Sequence, residues 1–111
     1  SSKAKEVRGL KYLVMEVEES YFSKDYANLL RQKLNDGFVF IVKKNEDKLA
    51  YIASVSKAWN DVGIKAGALV KEVATKFNGK GGGRDDVAQG GCCGQINEIL
   101  NYVSGLLLDS E

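Results

Sequence analysis

The chain predicts an α/β domain, a single small mixed sheet with helices packed against it, in the order β-α-β-β-α-β-α. Three observations carry that expectation. Residues 38–42 (FVFIV) and 49–55 (LAYIASV) are continuously apolar and rich in β-branched and aromatic side chains, as in strands covered on both faces. Around them, three segments repeat apolar residues at helical spacing. With 111 residues, 44% of them hydrophobic and 28% charged, the chain has the size and composition of one globular domain with its own core.

Residues 1–9 are polar, carry Lys3, Lys5, Glu6 and Arg8, and read as a lead-in or the stub of an upstream element. They contain neither an initiator Met nor an apolar signal segment, so the chain reads as a piece of a longer polypeptide. Residues 10–18 alternate, with Leu13, Met15 and Val17 on one side and Tyr12, Val14, Glu16 and Glu18 on the other. That is a strand with one better-buried face. Ser23 is a suitable N-cap for a helix over residues 24–36, whose stripe is Tyr26, Leu29, Leu30 and Leu34. Gly37 is expected to end it in the left-handed conformation.

The two apolar runs flank KKNEDK, a hairpin sequence. The first strand, the helix and the second strand then make a parallel crossover, expected right-handed. Residues 56–61 form a short turn or helix, and Trp59, the only tryptophan, is a packing residue. A second long helix covers 66–77, with Leu69, Val70, Val73, Ala74 and Phe77 inward and Lys71 outward, and Asn78-Gly79 stops it. A final helix over 95–108 carries Ile96, Ile99, Leu100, Val103 and Leu107. No internal repeat or linker divides the chain.

Charge and composition remove several function classes. A net charge of +1 argues against indiscriminate binding of nucleic acid. Locally the balance differs: Lys65, Lys71, Lys76, Lys80 and Arg84 are opposed only by Glu72. This strip is either a solvated helix face or a basic approach to the loop that follows. The absence of histidine removes the commonest general base and the usual nitrogen ligand of zinc. Cys92 and Cys93, the only cysteines, are adjacent and poorly placed to pair with each other. A reducing, intracellular location is therefore expected. No apolar run approaches the ~18–20 residues of a membrane span.

One stretch has no ordinary structural reading. Residues 78–95, NGKGGGRDDVAQGGCCGQ, hold seven of the twelve glycines (Gly79, Gly81, Gly82, Gly83, Gly90, Gly91 and Gly94). Glycine loses more backbone entropy on folding than any other residue. Such density implies unusual turns, or main-chain N–H groups left bare for a flat or anionic surface. The stretch is expected as a loop enclosing a short extended piece near Val87-Ala88-Gln89. It is not a Walker A loop: Gly79-Lys80 is followed by Gly81, Ala74 stands at the first glycine, and a helix precedes it. The dinucleotide pattern G-x-G-x-x-G ends on Arg84 or Asp86 instead of glycine. Asp85 and Asp86 point to opposite sides if extended, which favours turn hydrogen bonds over metal or acid–base chemistry. Cys92 has no histidine to activate it. No catalytic residue and no metal site is assigned, and the domain is expected to bind rather than react.

Three segments carry a resemblance: residues 64–74 (IKAGALVKEVA), then 79–84 (GKGGGR), then 86–91 (DVAQGG). Together they resemble the C-terminal domain of alanyl-tRNA synthetases, in the wider DHH-associated superfamily. The resemblance covers the chain from about Leu10 and is most specific over residues 65–91. It implies a non-catalytic domain that holds the elbow of tRNA(Ala), supporting aminoacylation and editing by upstream domains of a parent enzyme. By position, Lys80, Gly81, Gly82, Gly83, Arg84, Asp86 and Gln89 match the family motif, and Lys65, Lys71 and Lys76 match its basic approaches. The resemblance also implies ATP, and zinc, as cofactors of the parent alone, a homodimer as a further partner, no membrane, and a cytoplasmic or mitochondrial setting. In three places the chain departs from the family pattern: Asp85 stands for proline, Val87 for methionine, and Cys92-Cys93 for small residues. A rival reading is a protein-docking, dimerisation or non-tRNA nucleic-acid domain. A more distant one is the accessory module of a DHH phosphoesterase.

Overall fold

The apolar runs at 38–42 and 49–55 lie at the centre of a six-stranded sheet in the computed structural model, which describes residues 4–109. The strands are β1 (Lys5–Val7), β2 (Leu10–Glu16), β3 (Phe38–Asn45), β4 (Lys48–Val55), β5 (Lys80–Gly83) and β6 (Val87–Cys92), in the spatial order β1-β2-β3-β4-β6-β5. The helices are α1 (Lys24–Leu34), α2 (Lys57–Asp61), α3 (Ala66–Lys76) and α4 (Ile96–Asp109), with a 3-10 turn at Glu19–Tyr21. As expected, β2 and β3 pair in parallel across α1, and every other pairing is antiparallel.

Both faces of the sheet are covered at its centre, which explains the continuous apolar runs. Phe38, Phe40, Val42, Tyr51, Ala53 and Val55 face α2, α3 and α4, whose Trp59, Val70, Val73, Ile99, Val103 and Leu107 complete the main core. Val39, Ile41 and Ile52 face the other way, against Ala27 and Leu34 of α1. Trp59 is fully buried, and its indole N–H donates to the Lys11 carbonyl at 2.9 Å. Its role is packing.

Three local expectations are corrected. Residues 5–7 of the expected lead-in form β1, paired with β2, and Arg8 turns back to donate to the Leu107 and Leu108 carbonyls of α4. The expectation for residues 1–3 lies outside the described residues. The Leu13 and Met15 side of strand β2 is the better buried, as expected, although Tyr12 on the other side is buried too. Helix α1 ends at Leu34, with Asn35 and Asp36, not Gly37, in the left-handed region at φ 55° and 56°. Gly37 is small because any Cβ there would lie 2.5 Å from the Leu34 Cβ. Leu29, assigned to the inward stripe, is instead exposed.

The largest correction concerns residues 78–95. The expected loop is a β-hairpin, with β5 as one edge of the sheet and β6 joining it to β4. Hydrogen bonds of the sheet ladder hold what side-chain pattern could not announce.

Candidate nucleic-acid interface

The glycine hairpin has two unlike faces. Alternation along the strands turns Gly81, Gly90, Ala88 and Cys92 towards α3 and the main core, and Lys80, Gly82, Gln89 and Gly91 to the opposite side. On the α3 side, glycine is demanded by close packing. A Cβ on Gly81 would lie 2.6 Å from Val70 Cγ1 and 2.7 Å from the Gly90 Cα; one on Gly90 would lie 2.6 Å from the Lys80 carbonyl oxygen. These glycines let a helix sit directly on the strand pair.

Gly82 differs. A Cβ there would meet only the Lys71 Cε at 3.4 Å, ordinary contact with the end of a flexible chain. Its φ lies outside the left-handed range, so neither packing nor backbone conformation requires glycine. The same contact shows that Lys71 reaches round the sheet edge to the outer face. Helix α1 lies against β3 and β4 on this face. Beyond it the peptide planes of the hairpin form a ledge walled on one side by the start of α1. The resulting groove, about 470 Å³, is lined by Lys24, Asp25, Asn28, Gly82, Arg84 and Gln89 among others.

The turn between β5 and β6 is held by main-chain bonds. Arg84 N–H donates to the Val87 carbonyl at 2.9 Å, and the Arg84 and Asp85 carbonyls accept from Gly67 N–H (2.7 Å) and Ala66 N–H (2.9 Å). Those two are orphan donors of the first turn of α3, so the hairpin turn caps the helix. The Asp85 carbonyl also accepts from the Asn60 side chain at 3.1 Å. This turn fixes where Arg84 emerges. Its Nε donates to Asp86 Oδ1 at 3.2 Å, an exposed ion pair that engages one of the three guanidinium nitrogens.

Of the residues named from the sequence, Lys71, Lys80, Gly82, Arg84 and Gln89 gather on or beside the outer face of the hairpin. Gly81 and Gly83 support it, and Asp86 restrains Arg84. Lys65 and Lys76 do not join them. They lie on the α4 side of α3, where Lys65 lines a groove with Leu106 and Asp109, and the Lys76 ammonium sits 5.7 Å from the centre of the Tyr102 ring. Positions 65, 69, 72 and 76 share one helix stripe, and 67, 70, 71 and 74 another. Lys24, Asp25 and Asn28 were not found from sequence: no motif links a helix start to a hairpin more than fifty residues later.

The cysteines offer no chemistry to the ledge. Burial pushes the Cys92 thiol up to about 11, and the charge of neighbouring Cys93 adds to the rise. Burial likewise raises the Tyr51 phenol beside it. Cys92 is therefore an inert core residue at neutral pH, while Cys93 is exposed. Among the described residues, no group of three or more His, Cys, Asp or Glu side chains is placed to hold a metal ion, and no helix is long and apolar enough to cross a membrane.

A mixed sheet closed by a glycine hairpin beneath a helix defines the class. The DHHA1 domain family matches residues 9–108, and the chain belongs to that family. Within it, the chain is similar to the C-terminal part of alanyl-tRNA synthetases. It is 39% identical over 110 residues to the alanine–tRNA ligase of Saccharophagus degradans, covering 97% of this chain. It is 34% identical over 107 residues to that of Staphylococcus saprophyticus, covering 93%. In each case the match spans 12% of the relative's length. The crystal structure of the C-Ala domain of Aquifex aeolicus alanyl-tRNA synthetase superimposes with a TM-score of 0.77 at 28% identity, covering 96% of this chain and 98% of that one. A DHH domain from the s1p family of ribosomal proteins shares the fold alone, with a TM-score of 0.65 at 14% identity.

Proposed function

We propose that this domain holds the elbow of tRNA(Ala) for an alanine–tRNA ligase, with the outer face of the glycine hairpin as the contact surface. The observation that carries the reading is Gly82. It is the hairpin glycine whose missing side chain answers to no internal packing, and it lies on a ledge bordered by Lys71, Lys80 and Arg84. A flat peptide surface suits the face of an exposed nucleobase, and RNA recognition of this kind rests on shape and stacking. The cations would meet phosphates on either side. Lys65 and Lys76, on the α4 side of α3, are not part of the proposed contact.

In this reading the domain performs no chemistry. It keeps one tRNA in reach of the aminoacylation and editing centres, and ATP and zinc belong to those other parts of the enzyme. The setting is that of protein synthesis, the cytoplasm, with the mitochondrion as the alternative.

Titration of the domain with tRNA(Ala) at two salt concentrations tests the proposal. Binding should weaken as salt rises, and Arg84→Ala should both lower affinity and flatten the salt dependence by about one phosphate contact. Equal retention of tRNA by wild type and variant would remove Arg84 from the site.

A second reading has one observation in its favour. Strand β5 is a sheet edge, and an exposed edge can pair with a strand from another chain. Concentration-dependent sedimentation of the free domain would support dimerisation through it.

A further inference from the structure

The groove between α1 and the hairpin carries groups that a plain phosphate-binding ledge does not need. Asn28 and Asp25, three residues apart and so neighbours on one helix face, both line it above the Gly82 floor. Asn28 has a fixed orientation. Ser54, a fully buried polar residue near the end of strand β4, donates its hydroxyl to Asn28 Oδ1 at 2.6 Å. With the amide oxygen tied to the sheet, the NH2 of Asn28, a residue lining the groove, is left as a donor. Asp25 presents a carboxylate, an acceptor that would repel a phosphate.

A donor beside an acceptor, over a side-chain-free floor, matches the polar edge of a nucleobase. We infer that this groove receives one unpaired nucleobase of the bound RNA, with Asn28 donating to it, Asp25 accepting from it, and Ser54 positioning Asn28. The inference rests on the RNA-binding reading above and specifies what one part of that surface holds. Lys24 and Arg84, which also line the groove, meet the backbone flanking the base. An extra hydrogen-bonded group on the base edge adds to affinity where peptide stacking alone is weak, and it makes the domain prefer looped RNA over continuous duplex.

The sign of one substitution separates a base from a phosphate. Removing the Asp25 charge strengthens binding to a phosphate and weakens binding to a base that donates to it. The experiment titrates the domain with tRNA(Ala), a twelve-nucleotide unpaired RNA of mixed sequence, and the same RNA as a duplex. The Asn28 side-chain NH2 resonances and the Gly82 amide are followed throughout. The expected result is tighter binding of the unpaired strand than of the duplex, with the Asn28 NH2 signals shifting. Asp25→Asn and Asn28→Ala should each weaken strand binding about fivefold or more. Ser54→Ala should weaken it less, with the Asn28 signals losing their single sharp position and the Gly82 amide still responding. Circular dichroism of each variant separates these effects from unfolding. Tighter binding by Asp25→Asn overturns the inference in favour of a phosphate. Equal binding of strand and duplex with Asn28 unmoved, while tRNA still shifts Gly82, overturns the inference and leaves the elbow reading standing. Failure of wild type to bind tRNA at all overturns both.

Discussion

Gly67 on α3 lies directly against the main chain of Gly83 on β5. A Cβ on Gly67 would collide with the Gly83 carbonyl oxygen and come within 3.1 Å of the Arg84 oxygen. Its N–H already donates to that same Arg84 oxygen at 2.7 Å. The helix start and the hairpin turn are thus one unit: the turn caps the helix, and the helix fixes the ledge. The AG pair opening α3 is explained by the strand it supports.

Gly67→Ala should therefore act on stability. The new methyl has only backbone to push against, and overpacking of this kind costs about 1–3 kcal/mol. Denaturant unfolding of the isolated domain should show a fall in that range. A variant as stable as wild type would mean that the hairpin yields freely and that its position is not set by α3.

The Arg84–Asp86 pair predicts an asymmetry. The pair is exposed, with Asp86 removing part of the positive field at the ledge, and exposed pairs add little stability. Asp86→Asn should leave the melting temperature nearly unchanged and raise tRNA affinity at low salt by roughly two- to fivefold. Arg84→Ala should lower it. Loss of affinity in Asp86→Asn, measured by filter binding, would show that Asp86 positions Arg84 instead of competing for it.

The thiols should separate by burial. In native protein at pH 8, a thiol reagent should modify Cys93 promptly and Cys92 only after unfolding. The linkage has a definite sign. The folded-state value of Cys92 is raised from 9.0 to about 11. Its contribution to stability is therefore complete below about pH 9 and is lost as pH rises towards 11, where unfolded chains have already ionised. Tyr51 is shifted in the same direction. Melting temperatures across that window should fall more steeply for wild type than for Cys92→Ala. Parallel curves would contradict a buried neutral thiol.

How much of this was legible depended on what each segment had to bury. Strands β3 and β4 announced themselves because both faces are covered, and so did the stripes of α3 and α4. The crossover from β2 to β3 followed from their order. Strands β5 and β6 did not announce themselves, because glycine has low strand preference and no side chain to alternate. Their pairing is decided by the α3 surface and the main-chain ladder, which belong to the tertiary structure. Strand β1, three residues long, had no pattern to show. At the proposed site, the motif led to Gly82, Arg84 and Gln89, whereas Lys65 and Lys76, grouped by charge without regard to helix stripes, lie on the α4 side of α3. Asn28 and Ser54 carry no local signal at all: each looks like an ordinary surface or strand residue until the fold joins them.

The central claim is that Gly82 is bare for the sake of a ligand. Its direct test is a paired measurement on Gly82→Ala and Gly82→Leu: thermal stability of the domain, and affinity for tRNA(Ala). The account predicts a melting temperature equal to or slightly above that of wild type, since a side chain in an open strand position restricts the unfolded chain. It also predicts a stepwise loss of tRNA affinity from Gly to Ala to Leu. Undiminished tRNA binding by a stable Gly82→Leu variant would contradict it.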